Sequence, residues 1–207
     1  MKKKANKIFS SKKPLNCIII AIIPALIFYS LSLFGFRSLG YSIMQIIRDP
    51  AQQSGASSFL GFLSNIGIWL WVSSAAICFF TILTRKTKLN KNHKELIFLA
   101  GILSITLAFD DFFLIHDRYI DQNICYLFYA VFGSTLLIRQ YKLIIKIDVF
   151  ALLLAGSFLA LSILTDLTQS FIPMSYRHTQ VFEEGFKFIG AATWLYFISR
   201  VSSFQET

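Results

Sequence analysis

The chain has 207 residues, 55% of them hydrophobic and only 15% charged, with a mean hydropathy of +0.60 and a formal net charge of +9. That apolar content exceeds what one soluble core of this length can hide, which excludes an ordinary soluble domain. The basic excess is divided among short segments between apolar stretches instead of forming one folded surface, which excludes nucleic acid as a partner.

A bilayer core takes about 20 apolar residues per helix. Six stretches approach that length, at about 15–36, 58–84, 96–115, 123–138, 149–167 and 182–199. The expected fold class is all-α: a bundle of six transmembrane helices forming a single polytopic membrane domain over 1–207, preceded by a basic segment, 1–14. The start has the order of a secretory signal but no small-residue cleavage site, so it reads as an uncleaved first helix. Cys17 precedes the apolar run, the wrong order for a lipoprotein site, and Pro24 predicts a kink. Between the first two spans, Tyr41 to Arg48 predicts a short surface helix stopped by Pro50, with Asp49 serving the turn and Gln52 to Ser58 as a flexible lead.

The second span carries Asn65 one to two turns below its start, and Arg85 to Lys94 reads as a plain basic loop with His93 solvated. The third span ends in Asp110-Asp111-x4-His116-Asp117. Continuous helix would put Asp110 and Asp117 on one face, Thr106 a turn deeper, and Asp111 about 100° away. The connection from His116 to Gln122 is short, so spans three and four are antiparallel neighbours, with Asp121 and Asn123 capping the fourth. The fifth span ends at Asp166, four residues after Ser162, and the sixth opens Glu183-Glu184-Gly185-x-Lys187. Gly61, Gly67, Gly101, Gly133, Gly156, Gly185 and Gly190 read as close helix contacts. Cys78 reads as a small buried apolar residue, and the three cysteines have no metal or redox spacing.

Fifteen of the twenty basic residues fall before the first span, after the second and fourth, or after the sixth. Only Arg37, Arg48, Arg118 and Arg177 lie on the opposite side, with Lys187 inside a span. Short loops keep Lys and Arg cytoplasmic, so both termini are expected inside. Eight of the eleven acidic residues then face outward.

Those carboxylates carry the functional expectation. Asp110, Asp111, Asp117 and Asp166 sit near helix C-termini, where negative charge is disfavoured, while Glu183 and Glu184 sit near an N-terminus, where it is favoured. Adjacent carboxylates in an apolar stretch cost several kcal/mol unless paired, protonated or metal-bound. Lys187 can neutralise either glutamate at i,i+3 or i,i+4 spacing, or it can snorkel to the interface. The expected outer-face polar layer is therefore Asn65, Asp110, Asp111, His116, Asp117, Asp166, Glu183, Glu184 and Lys187.

Three uses suit such a layer. It can bind a cation, a small cationic ligand or a lipid head group. Alternatively, Asp110, Asp111, His116 and Glu183 can hold a divalent cation, Mg²⁺ or Mn²⁺, that activates water against a lipid ester or amide. It can also be an ion-pair network in a structural subunit of a membrane assembly. The lipid bilayer is the one certain partner, and nothing in the pattern sets an oligomeric state.

The segments Leu63-Ser-Asn65-Ile-Gly67, Asp110-Asp111-x4-His116-Asp117 and Glu183-Glu184-Gly185-x-Lys187 resemble segments of uncharacterised bacterial multi-pass membrane proteins. The resemblance implies the topology and a bacterial inner (plasma) membrane location. A more distant likeness, to the alkaline ceramidase and progestin-receptor group, would imply zinc held by histidines. This chain has Ser73, Ser74 and the Asp pair but no His-x3-His, so that activity is not carried over.

Overall fold

The computed structural model describes residues 18–85, 89–171 and 173–205. Cys17, the basic segment before it, Lys86, Lys88 and Glu206 lie outside the described residues. Among the described residues every regular element is helical. The chain divides into two compact units, one ending at Leu60 and one beginning at Gly61.

The first unit opens with a π-helical turn, Ile18–Ile22, that runs into α1, Ile23–Ser38. Pro24 falls at the start of α1, where a missing N–H costs nothing, so the expected kink becomes a junction between π and α geometry. Two short helices follow, α2 (Ile43–Ile47) and α3 (Pro50–Ser54). Ser42 and Gln45 form a reciprocal capping box on α2. Asp49 caps α3 by accepting from the Gln52 N–H at 2.8 Å. Pro50 therefore starts a helix as well as ending one.

The second unit contains α4 (Phe62–Thr84), α5 (Lys91–Phe113), α6 (Ile115–Arg118), α7 (Gln122–Ile147), α8 (Val149–Thr168) and α9 (Tyr176–Ser203). Helix α8 packs along α9, α9 along α4, and α4 along α5; α7 touches α5 and α8 and closes the ring. Three helices, α4, α5 and α8, are long and apolar enough to cross a membrane. The fourth and sixth apolar stretches lie inside the longer helices α7 and α9. Those helices also carry Arg139, Lys142 and Lys146, and Glu183, Glu184 and Lys187, respectively.

Lipid tails are as apolar as leucine, so helices in a bilayer associate through close fit and hydrogen bonds more than through burial itself. The structure has both. Trp71, Leu96, Ile97, Ile144, Phe197 and Ile198 form a nearly solvent-free core. A Cβ at Gly101 would come within 3.0 Å of the Cys78 Cβ, and one at Gly190 within 2.8 Å of Leu159, so these two glycines permit close crossings. Gly67, Gly133, Gly156 and Gly185 have nothing within 4 Å of that position, and Gly61 only Asn65 at 3.8 Å. The close-contact reading therefore holds for two of the seven. Trp194 Nε1 donates to Ser104 Oγ at 2.8 Å, tying α9 to α5.

Three local expectations are corrected. Helix α5 starts at Lys91, capped by the Asn90 side chain, so the last four residues of the expected basic loop are helix. His93 is consequently buried, not solvated, with its Nε2 2.8 Å from the Val201 carbonyl oxygen. Helix α7 continues well past residue 138 to Ile147, its basic last turns reaching beyond the apolar stretch. There Glu95 meets Arg139 at 2.6 Å and Asp148 meets Arg200 at 3.8 Å.

Candidate functional site

Leu114 shapes the polar end of the bundle. It is the one described non-glycine residue with a positive φ, 53°, and it ends α5 in a left-handed turn before α6 begins. This break defeats the expectation that Asp110 and Asp117 share a face. The chain folds back instead, so that the His116 N–H donates to Asp110 Oδ1 at 2.9 Å and His116 Nδ1 lies 2.9 Å from Asp110 Oδ2. Tyr129 of α7 lines the same cavity as this carboxylate. Asp110 is only 5% exposed. Its hydrogen bond, outweighing the effect of burial, holds the His116 imidazole above its ordinary pKa of 6.5, with Asp117 adding to the attraction. Asp117 itself is exposed, its Oδ1 3.5 Å from His116 Nε2.

Asp111 points elsewhere, as adjacent helical residues must. Its Oδ2 accepts from Trp71 Nε1 of α4 at 3.1 Å, and its Oδ1 lies 3.7 Å from Lys187 Nζ of α9. Lys187 also donates to Glu184 Oε1 at 2.8 Å, the i,i+3 option. Its side chain is 28% exposed and lines the interior of the bundle. Glu183 takes a different partner, Gln180, at 2.6 Å. Asp166 accepts from the Tyr126 hydroxyl at 2.8 Å and from Gln169 at 3.1 Å. Asp110, Asp111 and Asp166 thus each receive a donor from beyond their own helix, which offsets much of their desolvation, whereas exposed Asp117 stays hydrated.

These groups separate two cavities. One, of about 480 Å³, lies inside the bundle and is walled mostly by aliphatic side chains of α5, α7 and α8, with Trp71 and Trp194. The other, of about 270 Å³, is almost wholly polar. Asp111, His116, Tyr126, Glu183 and Lys187 line both. Asp110 faces only the apolar cavity; Asp117, Asp166 and Glu184 face only the polar one.

Asn65 is the exception among the expected residues. It is exposed and lines neither cavity, whereas its neighbour Ser64 lines the polar one. A rotation of one residue, about 100° on a helix, separates the two outcomes. Arg118 and Arg177, the arginines nearest these carboxylates in sequence, are exposed and line neither cavity. Trp71, Tyr126, Tyr129, Gln169 and Gln180 were not expected at the site. Their signal was present in part: an indole or phenol deep in an apolar helix needs a hydrogen-bond partner, and Tyr126 and Tyr129 share a face at i,i+3.

Among the described residues, no three His, Cys, Asp or Glu groups are arranged to hold a metal ion. The candidate donors Asp110, Asp111, His116 and Glu183 do not fit one. Both Asp110 oxygens are engaged by His116, and the Lys187 ammonium stands beside Asp111.

The protein is thus an all-helical one in which membrane-length apolar helices end in a hydrogen-bonded acidic layer above an internal cavity. It belongs to the family described as a domain of unknown function, DUF8692, whose family model matches residues 17–201. No curated protein and no solved structure matches the chain.

Proposed function

We propose that this protein is a six-span integral membrane protein, with both termini cytoplasmic, that binds an amphiphile with a cationic amine head at the outer side of a bacterial inner membrane. The observation that carries the reading is the shared polar wall between an apolar and a polar cavity. An apolar chain suits the first cavity, whose volume falls in the range of about 300–1,000 Å³ usual for small-molecule sites. A head group suits the second. The charge balance selects its sign: Asp111, Asp117, Asp166, Glu183 and Glu184 face the polar cavity against His116 and Lys187. An ammonium head meets this acidic wall with attraction, whereas a carboxylate head would add repulsion.

Equilibrium binding of radiolabelled dodecylamine, dodecanol and laurate to the purified full chain in detergent tests the reading. The amine is expected to bind saturably, the alcohol more weakly and the carboxylate not at all. Asp111→Asn and Glu184→Gln are each expected to weaken the amine at least ~10-fold, the loss of one charge-assisted contact. Laurate binding as tightly as the amine, or no saturable amine binding, would leave the layer as a structural ion-pair network.

A further inference from the structure

Helices α7 and α8 both line the apolar cavity. They are joined at one end by Asp148 alone, and they meet far less than α8 meets α9 or α4 meets α5. Where α7 and α8 bound the apolar cavity, small residues line it: Ala130, Gly133 and Ser134 on one helix, Gly156, Ser157 and Ala160 on the other. Except for half-buried Gly133 these residues are exposed, although they also line the cavity. Helical glycines normally justify their cost by letting helices touch, as Gly101 and Gly190 do here. Gly133 and Gly156 do not, because a Cβ at either would meet nothing within 4 Å. A second observation points inward from the same wall. Ser162 is only 6% exposed, lines the cavity, and has no hydrogen-bond partner for its hydroxyl among the described residues.

We infer that the cleft between α7 and α8 is a lateral portal through which the chain of a bilayer-dissolved amphiphile enters the cavity. The inference rests on the amine-head reading for the polar end and adds the route and the physical state of the ligand. The small side chains put little bulk between the two helices, and the only polar groups among them are the hydroxyls of Ser134 and Ser157. The ligand moves sideways from the outer leaflet, keeps its chain in apolar surroundings, and brings its head to the polar wall that the two cavities share. Water-soluble amines lacking a chain are not its substrate class. The unpartnered Ser162 hydroxyl meets the ligand within the cavity.

The test uses dodecylamine carrying a diazirine at the far end of its chain, bound to the full protein in lipid nanodiscs and photolysed. Peptides covering 126–137 and 153–163 are expected to carry the label, in competition with unlabelled dodecylamine. Gly156→Trp and Gly133→Trp are expected to weaken dodecylamine binding at least ~10-fold and to slow its association. Gly67→Trp on α4, equally open at its Cβ but lining neither cavity, is expected to bind as wild type does. Label confined to α4, α5 or α9, or wild-type binding in both portal variants, overturns the portal and leaves the head-group reading standing. Absence of saturable binding by the wild type removes that reading and the portal with it. Because photolabelling needs no substitution, the outcome does not depend on whether the tryptophan variants fold.

Discussion

Asp110 is the most enclosed carboxylate of the polar layer, and its oxygens are held by a backbone N–H and an imidazole from only six residues away. The His116 imidazole gains this partner on folding, so its folded pKa lies above 6.5. The sign follows from linkage: the contribution to stability is complete below pH 6.5 and is lost as pH rises through the folded value. Asp110→Asn is expected to move the His116 titration midpoint down, read by NMR with His116→Gln assigning the signal. It should also cost about 1.5–3 kcal/mol in mildly acidic buffer, the range for a hydrogen bond to a charged group. An unmoved midpoint would refute the pairing. Leu114 is a second residue whose worth is local. A left-handed turn costs an L-residue about 1–2 kcal/mol, and a β-branched side chain fits it worse. Leu114→Gly is therefore expected to stay within about 1 kcal/mol of wild type, since the lost strain offsets the added chain entropy. Leu114→Ile should lower thermal stability clearly. If Leu114→Ile melts as wild type does, the turn is not strained in the way its φ implies.

At the scale of helices, glycines divide by what faces them. Gly190 lets α9 lie against Leu159 of α8, and Gly101 lets α5 lie against Cys78 and Phe79 of α4. Gly190→Ala forces the Leu159 side chain to move and is expected to cost about 1–3 kcal/mol, as overpacking does. Gly133→Ala meets nothing and replaces a poor helix former, so it should stabilise by up to about 1 kcal/mol. Thermal unfolding of the two variants in one detergent checks the contrast, and equal shifts of the same sign would contradict the packing. The ion pair between Glu95 and Arg139 belongs to the same scale. Arg139 is 60% exposed, so despite a 2.6 Å contact Arg139→Ala is expected to change stability by no more than about 1 kcal/mol.

Over the whole molecule, the proposed topology sets the two ends of α9 on opposite sides of the bilayer. Its 28 residues extend about 42 Å at 1.5 Å per residue, enough to cross the hydrocarbon core and both interfaces. A cysteine at Ser175 should react with an impermeant thiol reagent from outside intact cells, and one at Gln205 only after permeabilisation. Reaction of Ser175→Cys from the cytoplasmic side alone would invert the topology and move the acidic layer to the inner face.

Helical class, long apolar segments and a set of awkward carboxylates were legible in the sequence because each follows from local chemistry. Hydrophobic length, charge position and helix-end polarity are properties of a segment, and α4, α5 and α8 appear close to where they were expected. The divergent aims of Asp110 and Asp111, about 100° apart, were legible as well, from helix periodicity alone. Partnership was not, since it depends on which faces of separate helices meet and on one backbone angle. Asn65 missed the polar cavity and Ser64 reached it by a single step of rotation. His93, in a segment whose charge pattern suggests a solvated loop, is buried because α5 begins earlier than that pattern suggests and packs against the end of α9. The left-handed turn at Leu114, with no glycine to signal it, took Asp117 away from Asp110 and brought His116 in its place. The sequence by itself determined that charged groups would need partners inside an apolar bundle. Only the tertiary structure decided the partners, because rotation, crossing angle and a turn against local preference are set by the packing of the whole helical ring.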